Sequence, residues 1–195
     1  YYGFLNSISQ VALKATSPGV PDFYRGTEIW DLSLVDPDNR RPVDYDLRMS
    51  MLDSIEDTSV SEMLGNWRDG RIKLFTTSRL LQLRTRLAGF FERANYAPLQ
   101  VRGTLKKNVV AFTRRDGERW LVTATPRLIS QLSSPRGLPL GVKTWRSTSL
   151  TLPEDAPQQW RNVFTGEQLE MRRNQLALAE VFSEFPVAVL VSDEA

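Results

Sequence analysis

Residues 17–28 read SPGVPDFYRGTE, and the interpretation of the first half of the chain depends on this stretch. Ser17-Pro18-Gly19 ends a preceding helical pattern, because proline and glycine disfavour helix continuation. The apolar run at residues 20–24, with prolines at its border, predicts a single buried strand, and Arg25-Gly26 predicts a turn after it. A helix followed by a short strand is the repeating unit of a parallel α/β fold. The stretch therefore predicts one such unit.

Helical periodicity lies on both sides of this stretch. Upstream, apolar residues recur at spacings of three and four and predict one buried helical face: Phe4, Leu5, Ile8, Val11, Ala12 and Ala15. Downstream, Asp44 or Asp46 can cap a helix whose apolar residues are Leu47, Met51, Leu52 and Ile55. A short helical turn is expected at residues 62–64. A strong helix after Asp69-Gly70 is expected to bury Ile72, Phe75, Leu80, Leu83 and Leu87.

The period changes near residue 95. Short runs typical of strands, separated by turn residues, follow at Val101 and at residues 109–112, 120–122, 150–152, 176–178 and 187–190. Asp116-Gly117 between two of these runs predicts a hairpin. Many short strands at this spacing predict an antiparallel sandwich or a small barrel. We therefore expect two parts, residues 1–94 and residues 95–195.

Composition excludes several classes of function. The 195 residues are 41% hydrophobic, and the net charge is only +2, with both signs interspersed, so we expect no nucleic-acid partner. The chain has no Cys and no His, which excludes disulfides, histidine bases and the usual zinc sites; we expect no metal and no cofactor. No apolar run approaches the ~20 residues of a membrane span, and the absence of a signal-like N-terminus favours a cytoplasmic location.

Two sequence patterns resemble a known enzyme family. The pattern P-G-x-P-x-x-Y-x-G-x-E at residues 18–28 resembles the last barrel strand of α-amylase superfamily enzymes (glycoside hydrolase family 13). The run IWDLSLVDPDNRRPVDY at residues 29–45 is similar to maltooligosyl trehalose synthases in particular. Three later runs fit the C-terminal region of the same family: DGRIKL at 69–74, WRNVFTG at 160–166 and LALAEVF at 176–182.

The resemblance implies a (β/α)8 barrel followed by an antiparallel β-sandwich. This chain would be an α+β fragment, with the last helix-strand-helix unit of the barrel in residues 1–94 and the sandwich in residues 95–195. Family members isomerise the reducing-end α-1,4 bond of maltooligosaccharides to α,α-1,1, a retaining reaction that uses carboxylates. Those carboxylates lie upstream of this chain, which has no initiator Met and opens on Tyr1-Tyr2-Gly3. We therefore expect no catalytic residue here, and expect a maltooligosaccharide and the N-terminal barrel segment as partners.

The resemblance also implies a set of substrate-binding residues, because barrel active sites lie at the C-terminal ends of the strands. Tyr24 can pack on a glucose ring, although a core tyrosine is the alternative. Acidic acceptors and arginine donors after it suit sugar hydroxyls, and the alternative for them is a salt-bridge network that orders the loop. The predicted substrate-binding residues are Tyr24, Arg25, Glu28, Asp31, Asp36, Arg40 and Arg41.

Other residues leave alternatives open. Trp30 is a sugar platform or a residue that packs a lid, and Lys73 reaches the barrel mouth or, as we favour, lies solvated on its helix. Three tryptophans form a carbohydrate-binding surface or, as we favour, pack in the core: Trp120, Trp145 and Trp160. The whole chain is an enzyme segment inert by itself, a stand-alone carbohydrate-binding module, or a structural cap of a barrel.

Overall fold

The computed structural model describes residues 1–33, 40–134 and 137–192. Its first part contains α1 (Tyr2–Thr16), α2 (Tyr45–Ile55), α3 (Val60–Gly65), α4 (Arg71–Arg86) and α5 (Ala88–Arg93). Its second part contains β1 (Asn95–Pro98), β2 (Gln100–Arg102), β3 (Val109–Asp116), β4 (Arg119–Pro126), α6 (Gly141–Trp145), β5 (Ser149–Thr151), β6 (Gln159–Asn162), β7 (Gln168–Glu170), β8 (Gln175–Ala177), α7 (Leu178–Val181) and β9 (Ala188–Ser192). None of the helices in these ranges is both long and apolar enough to cross a membrane.

The two long helices α1 and α4 pack against each other with the faces that their periodicity predicts. Every residue expected on the buried face of α1 is buried, and so is every one expected on α4. The cap of α2 is also confirmed, since the side chain of Asp44 accepts a hydrogen bond from the backbone N–H of Leu47 at 2.9 Å. Periodicity and capping therefore account for these three helices.

One prediction for the helical part is wrong. Residues 20–24 form no strand, and Val20 is 96% exposed rather than buried. A strand needs a neighbour to share its backbone hydrogen bonds, and no described strand lies beside this segment. The helix α2 does form, and of its four apolar residues named above only Ile55 is buried, while Leu47 and Leu52 are each 43% exposed.

Both sheets are entirely antiparallel in the described ranges. The larger has six strands in the order β1-β3-β4-β9-β6-β7, and the smaller has the order β2-β5-β8. Each predicted strand run overlaps one of these strands, whereas β1, β6 and β7 were not predicted. The expected hairpin joins β3 to β4, but its two-residue turn is Gly117-Glu118, because Asp116 pairs with Arg119. Gly117 has φ +62°, which a tight hairpin turn requires.

The six-stranded sheet takes part in two hydrophobic clusters, one on each face. Adjacent strand residues point to opposite faces. Leu121 of β4 joins a cluster with α1 and α4, whereas Val122 joins a cluster that also contains Leu150 and Leu176 of the smaller sheet. The helices, the larger sheet and the smaller sheet are therefore three successive layers.

A buried guanidinium group joins the helices to the sheet. Arg114 of β3 is only 2% exposed and donates hydrogen bonds to the carbonyl oxygens of Thr16, Phe91 and Ala94. These carbonyls lie at the C-terminal ends of α1 and α5, where carbonyl groups lack helical partners and carry partial negative charge. Burial, and then the charge of Arg84, lower the pKa of Arg114. The partial negative charge of these helix ends thus balances the charge of Arg114, as a carboxylate would in an ion pair.

Candidate functional site

Tyr24 is an exposed aromatic residue at a tight turn. Tyr24 is 47% exposed, so the alternative of a core tyrosine is wrong. Its carbonyl oxygen accepts hydrogen bonds from the backbone N–H of Thr27 at 3.2 Å and from the Thr27 hydroxyl at 2.6 Å. Gly26, within this turn, has φ +90°, a conformation that side chains disfavour. The turn therefore presents the Tyr24 ring to solvent.

Arg48 of α2 clamps the same turn. Its Nε donates to Oε2 of Glu28 at 2.9 Å, its Nη2 donates to the carbonyl oxygen of Gly26 at 2.7 Å, and its Nη1 donates to the carbonyl oxygen of Asp44 at 2.9 Å. The other Glu28 oxygen accepts from the backbone N–H of Gly26 at 3.1 Å. Partial burial raises the pKa of Glu28, but the hydrogen bonds from the Glu28 and Gly26 backbone and from Arg48 outweigh it and hold the pKa below its ordinary value.

The sequence interpretation did not single out Arg48. Arg48 lies four residues after the helix cap Asp44, and residues four apart are neighbours on a helix surface. This spacing was the only sequence signal that could have indicated its position near the start of α2. Glu28, predicted to bind sugar hydroxyls, has both carboxylate oxygens engaged in this clamp.

Lys73 of α4 contacts Ile29 and Trp30, the two residues that follow Glu28. Its Nζ donates to the carbonyl oxygen of Ile29 at 3.1 Å and lies 5.6 Å from the ring centre of Trp30. Burial, and then the nearby charge of Lys14, lower the pKa of Lys73 against the opposing effect of Asp31 and Glu28. The favoured interpretation of Lys73 as a solvated residue is therefore wrong.

Trp30 is fixed by packing. Its indole N–H donates to the carbonyl oxygen of Trp67 at 2.6 Å, and its ring meets Phe4 edge-on at 5.1 Å. Beside it, Ile29 approaches Gly70 so closely that a Cβ at Gly70 would lie 2.8 Å from the Ile29 Cβ. The segment before Asp31 is thus anchored on the start of α4.

The remaining predicted site residues are exposed or lie outside the described ranges. Asp31 accepts hydrogen bonds from the hydroxyl of Ser33 at 2.6 Å and from its backbone N–H at 2.9 Å. These bonds lower the pKa of Asp31, with smaller contributions from Lys73 and Arg41. Arg25, Arg40 and Arg41 are exposed, and Asp36 lies outside the described residues.

A cleft of about 600 Å³ lies between α1, residues 22–28 and α4. Of the predicted site residues, it brings together Tyr24 and Glu28, and Lys73 also lines it. Arg25, Asp31, Arg40 and Arg41 do not line the cleft. An exposed aromatic ring beside hydrogen-bond donors and acceptors suits a neutral ligand with many hydroxyl groups. Within the described ranges, no three acidic side chains converge in a way that could hold a metal ion.

The tryptophans of the second part lie in the core, as favoured. Trp120 is 3% exposed, and Trp145 and Trp160 are fully buried. The indole N–H groups of Trp145 and Trp160 donate to the carbonyl oxygens of Pro139 and Pro157 at 2.7 and 2.8 Å. A carbohydrate-binding surface built from these three rings is therefore excluded.

Comparison with known proteins identifies the family, although no protein-family model matches the chain. A protein of Mycobacterium tuberculosis H37Rv named as a maltooligosyl trehalose synthase is 32% identical over 190 residues, which is 97% of this chain and 21% of that protein. The solved maltooligosyltrehalose synthase of Arthrobacter ramosus is 32% identical over 97% of this chain and 22% of its own, with a TM-score of 0.73.

An Anoxybacillus α-amylase shares the fold, with a TM-score of 0.58 at 18% identity over 96% of this chain and 32% of its own. The chain spans about one fifth of the length of the synthases, and it matches their C-terminal end. The chain therefore belongs to the maltooligosyl trehalose synthase family and corresponds to the C-terminal part of its members.

Proposed function

We propose that this chain is the C-terminal part of an enzyme that isomerises the reducing-end α-1,4 bond of maltooligosaccharides to α,α-1,1. The observation that carries the proposal is the 32% identity to solved and curated synthases across 97% of the chain. The chain itself supplies no catalytic residue. The reacting carboxylates belong to the N-terminal part of the enzyme, and this part of the protein completes the substrate site and uses no cofactor.

In this proposal residues 1–94 are the end of a (β/α)8 barrel and residues 95–195 are a β-sandwich. The last helix of the first part ends at Arg93 and the antiparallel strands begin at Asn95, which supports this division. The uncovered apolar residues of the first part support a partner segment that packs on them. Val20 is 96% exposed, and Leu47 and Leu52 of α2 are each 43% exposed. The N-terminal barrel segment would cover them and provide the strands that residues 20–24 need.

The segment around Tyr24 is proposed to bind sugar. Tyr24 packs on the apolar face of a glucose unit, and the other predicted residues of this segment bind sugar hydroxyl groups, namely Arg25, Asp31, Asp36, Arg40 and Arg41. Glu28, Arg48 and Lys73 hold the turn in place through the contacts described above. A turn held before the substrate arrives saves the entropy of ordering it on binding.

The test is a chimera in which this chain replaces the C-terminal fifth of the Arthrobacter ramosus enzyme. With maltopentaose, the chimera should consume reducing ends without releasing glucose, because the reducing carbon becomes part of the new bond. Tyr24→Ala should lower kcat/KM about tenfold, the equivalent of roughly 1–2 kcal/mol of lost ring contact.

Tyr96→Ala is the matched control. Tyr96 lies in β1 and is 49% exposed, close to the 47% of Tyr24, but it is outside the site segment. Equal turnover in both variants would refute the role of Tyr24. Consumption of reducing ends by the 195-residue chain alone would refute the assignment of catalysis to the N-terminal part. The alternative of a sugar-binding module loses its main support because the three tryptophans of the second part are buried.

A further inference from the structure

A second cleft lies between α4 and the turn that joins β6 to β7. Its volume is about 410 Å³, and it shares no lining residue with the cleft at Tyr24. Three of its lining residues are arginines, namely Arg79 and Arg86 of α4 and Arg161 of β6. None of its lining residues is acidic. Nothing in the proposed isomerase reaction uses this arginine cleft.

Elementary geometry explains why these three side chains converge. On α4, residues 79 and 86 are seven apart, two helical turns, so both lie on the same face. On β6, Trp160 belongs to the cluster between the two sheets, so its neighbour Arg161 points to the opposite face, where α4 lies. Each arginine is therefore carried by a regular element rather than by a loop.

The charges of the arginine cleft are only partly balanced. Nη2 of Arg79 donates to Oε2 of Glu56 at 3.1 Å. The guanidinium groups of Arg86 and Arg161 form no hydrogen bond or ion pair with any residue in the described part of the chain. Three like charges around one concave surface create a positive potential that favours an anion. Among the described residues, nothing competes with such an anion for two of the three guanidinium groups.

The shape and chemistry favour one class of anion. Guanidinium groups match phosphate oxygens in paired hydrogen bonds, and phosphate is commonly bound by arginine for that reason. Leu83, Val163 and Phe164 add an apolar wall that inorganic phosphate would not use. A volume of about 410 Å³ is within the range of small-molecule sites. We propose that the arginine cleft binds a small phosphate ester, with Arg86 and Arg161 as the main phosphate ligands.

Calorimetric titration of the 195-residue chain at low ionic strength tests the proposal, with inorganic phosphate, glucose 6-phosphate and glucose as the three probes. Glucose 6-phosphate should bind at one saturable site, more tightly than inorganic phosphate, and glucose should give no heat from this cleft. Arg161→Gln should weaken the binding of glucose 6-phosphate about tenfold or more, because a charged hydrogen-bond donor is lost.

Arg119→Gln is the matched control, since Arg119 of β4 is exposed, lies outside the cleft and carries the same charge. It should leave the affinity within twofold of the original. The thermal midpoint of Arg161→Gln should not change, because the side chain of Arg161 makes no polar contact in the described part of the chain. No saturable binding of the ester, equal weakening by both substitutions, or binding of inorganic phosphate as tight as that of the ester would overturn the proposal.

Discussion

Arg114 offers the sharpest test of how the helices are held to the sheet. Arg114→Met keeps an unbranched apolar side chain similar to the aliphatic part of arginine. It removes the guanidinium group that donates to the carbonyl oxygens of Thr16, Phe91 and Ala94. A buried hydrogen-bond acceptor left without a donor costs about 1–3 kcal/mol. Three such carbonyls would cost about 3–9 kcal/mol, and release of a buried charge offsets part of this. We expect a net loss of about 3–5 kcal/mol.

Urea unfolding followed by tryptophan fluorescence measures this loss as a lower midpoint concentration at unchanged slope. For a chain of this size, 3–5 kcal/mol also lowers the thermal midpoint by roughly 6–20 °C. Arg115→Met is the control on the same strand, where the guanidinium forms an exposed ion pair with Asp155 at 2.6 Å and lies 4.4 Å from the Trp120 ring centre. Exposed pairs and cation–π contacts of this kind contribute about 1–2 kcal/mol together. If Arg114→Met is no more destabilising than Arg115→Met, the buried guanidinium does not join the two parts.

Two further substitutions test the site segment. Gly70→Ala should lower the free energy of unfolding, measured in urea, by about 2 kcal/mol or more, because Gly70 has φ +88° and a Cβ would lie 2.8 Å from that of Ile29. Gly65→Ala is the control. A Cβ at Gly65 meets nothing within 4 Å, so this substitution should be neutral or stabilising. Glu28→Gln should destabilise by about 1 kcal/mol near neutral pH, since the Glu28 side chain is 32% exposed and its pair with Arg48 is partly screened. The pKa of Glu28 is lower in the folded than in the unfolded protein. Its contribution to the free energy of unfolding is therefore fully present above the unfolded pKa and is lost as the pH falls through the folded pKa. The free energies of unfolding of the original protein and of Glu28→Gln should thus converge in acid. A difference that stays constant down to about pH 3 would contradict the Glu28–Arg48 clamp.

Local patterns were enough for the elements whose stability is local. The spacing of apolar residues predicts the buried faces of α1 and α4 because a helix repeats every 3.6 residues whatever it packs against. The hairpin of β3 and β4 follows from turn residues between two strand-like runs, although the exact pairing moved the turn by one residue to Gly117-Glu118. The short, polar strands β6 and β7 lacked such a signal, since pairing with β9 and with each other creates them.

The candidate site was predictable in position but not in the roles of its residues. The motif at residues 18–28 located the turn, and Tyr24 is exposed there. The engagement of Glu28 by Arg48 joins residues 20 positions apart, and no local spacing signals that contact. The hydrogen bond of Lys73 likewise goes to the carbonyl oxygen of Ile29, 44 positions away.

The amino-acid sequence alone therefore determined the family resemblance, the helical faces, most strands and the absence of cysteine and histidine chemistry. Only the tertiary structure decided which polar side chains are engaged, because hydrogen bonds such as those of Arg114 join groups up to 98 positions apart. It also decided that residues 20–24 form no strand. A strand is a property of two segments, and its formation depends on a neighbour that supplies donors and acceptors, which no periodicity within five residues can reveal.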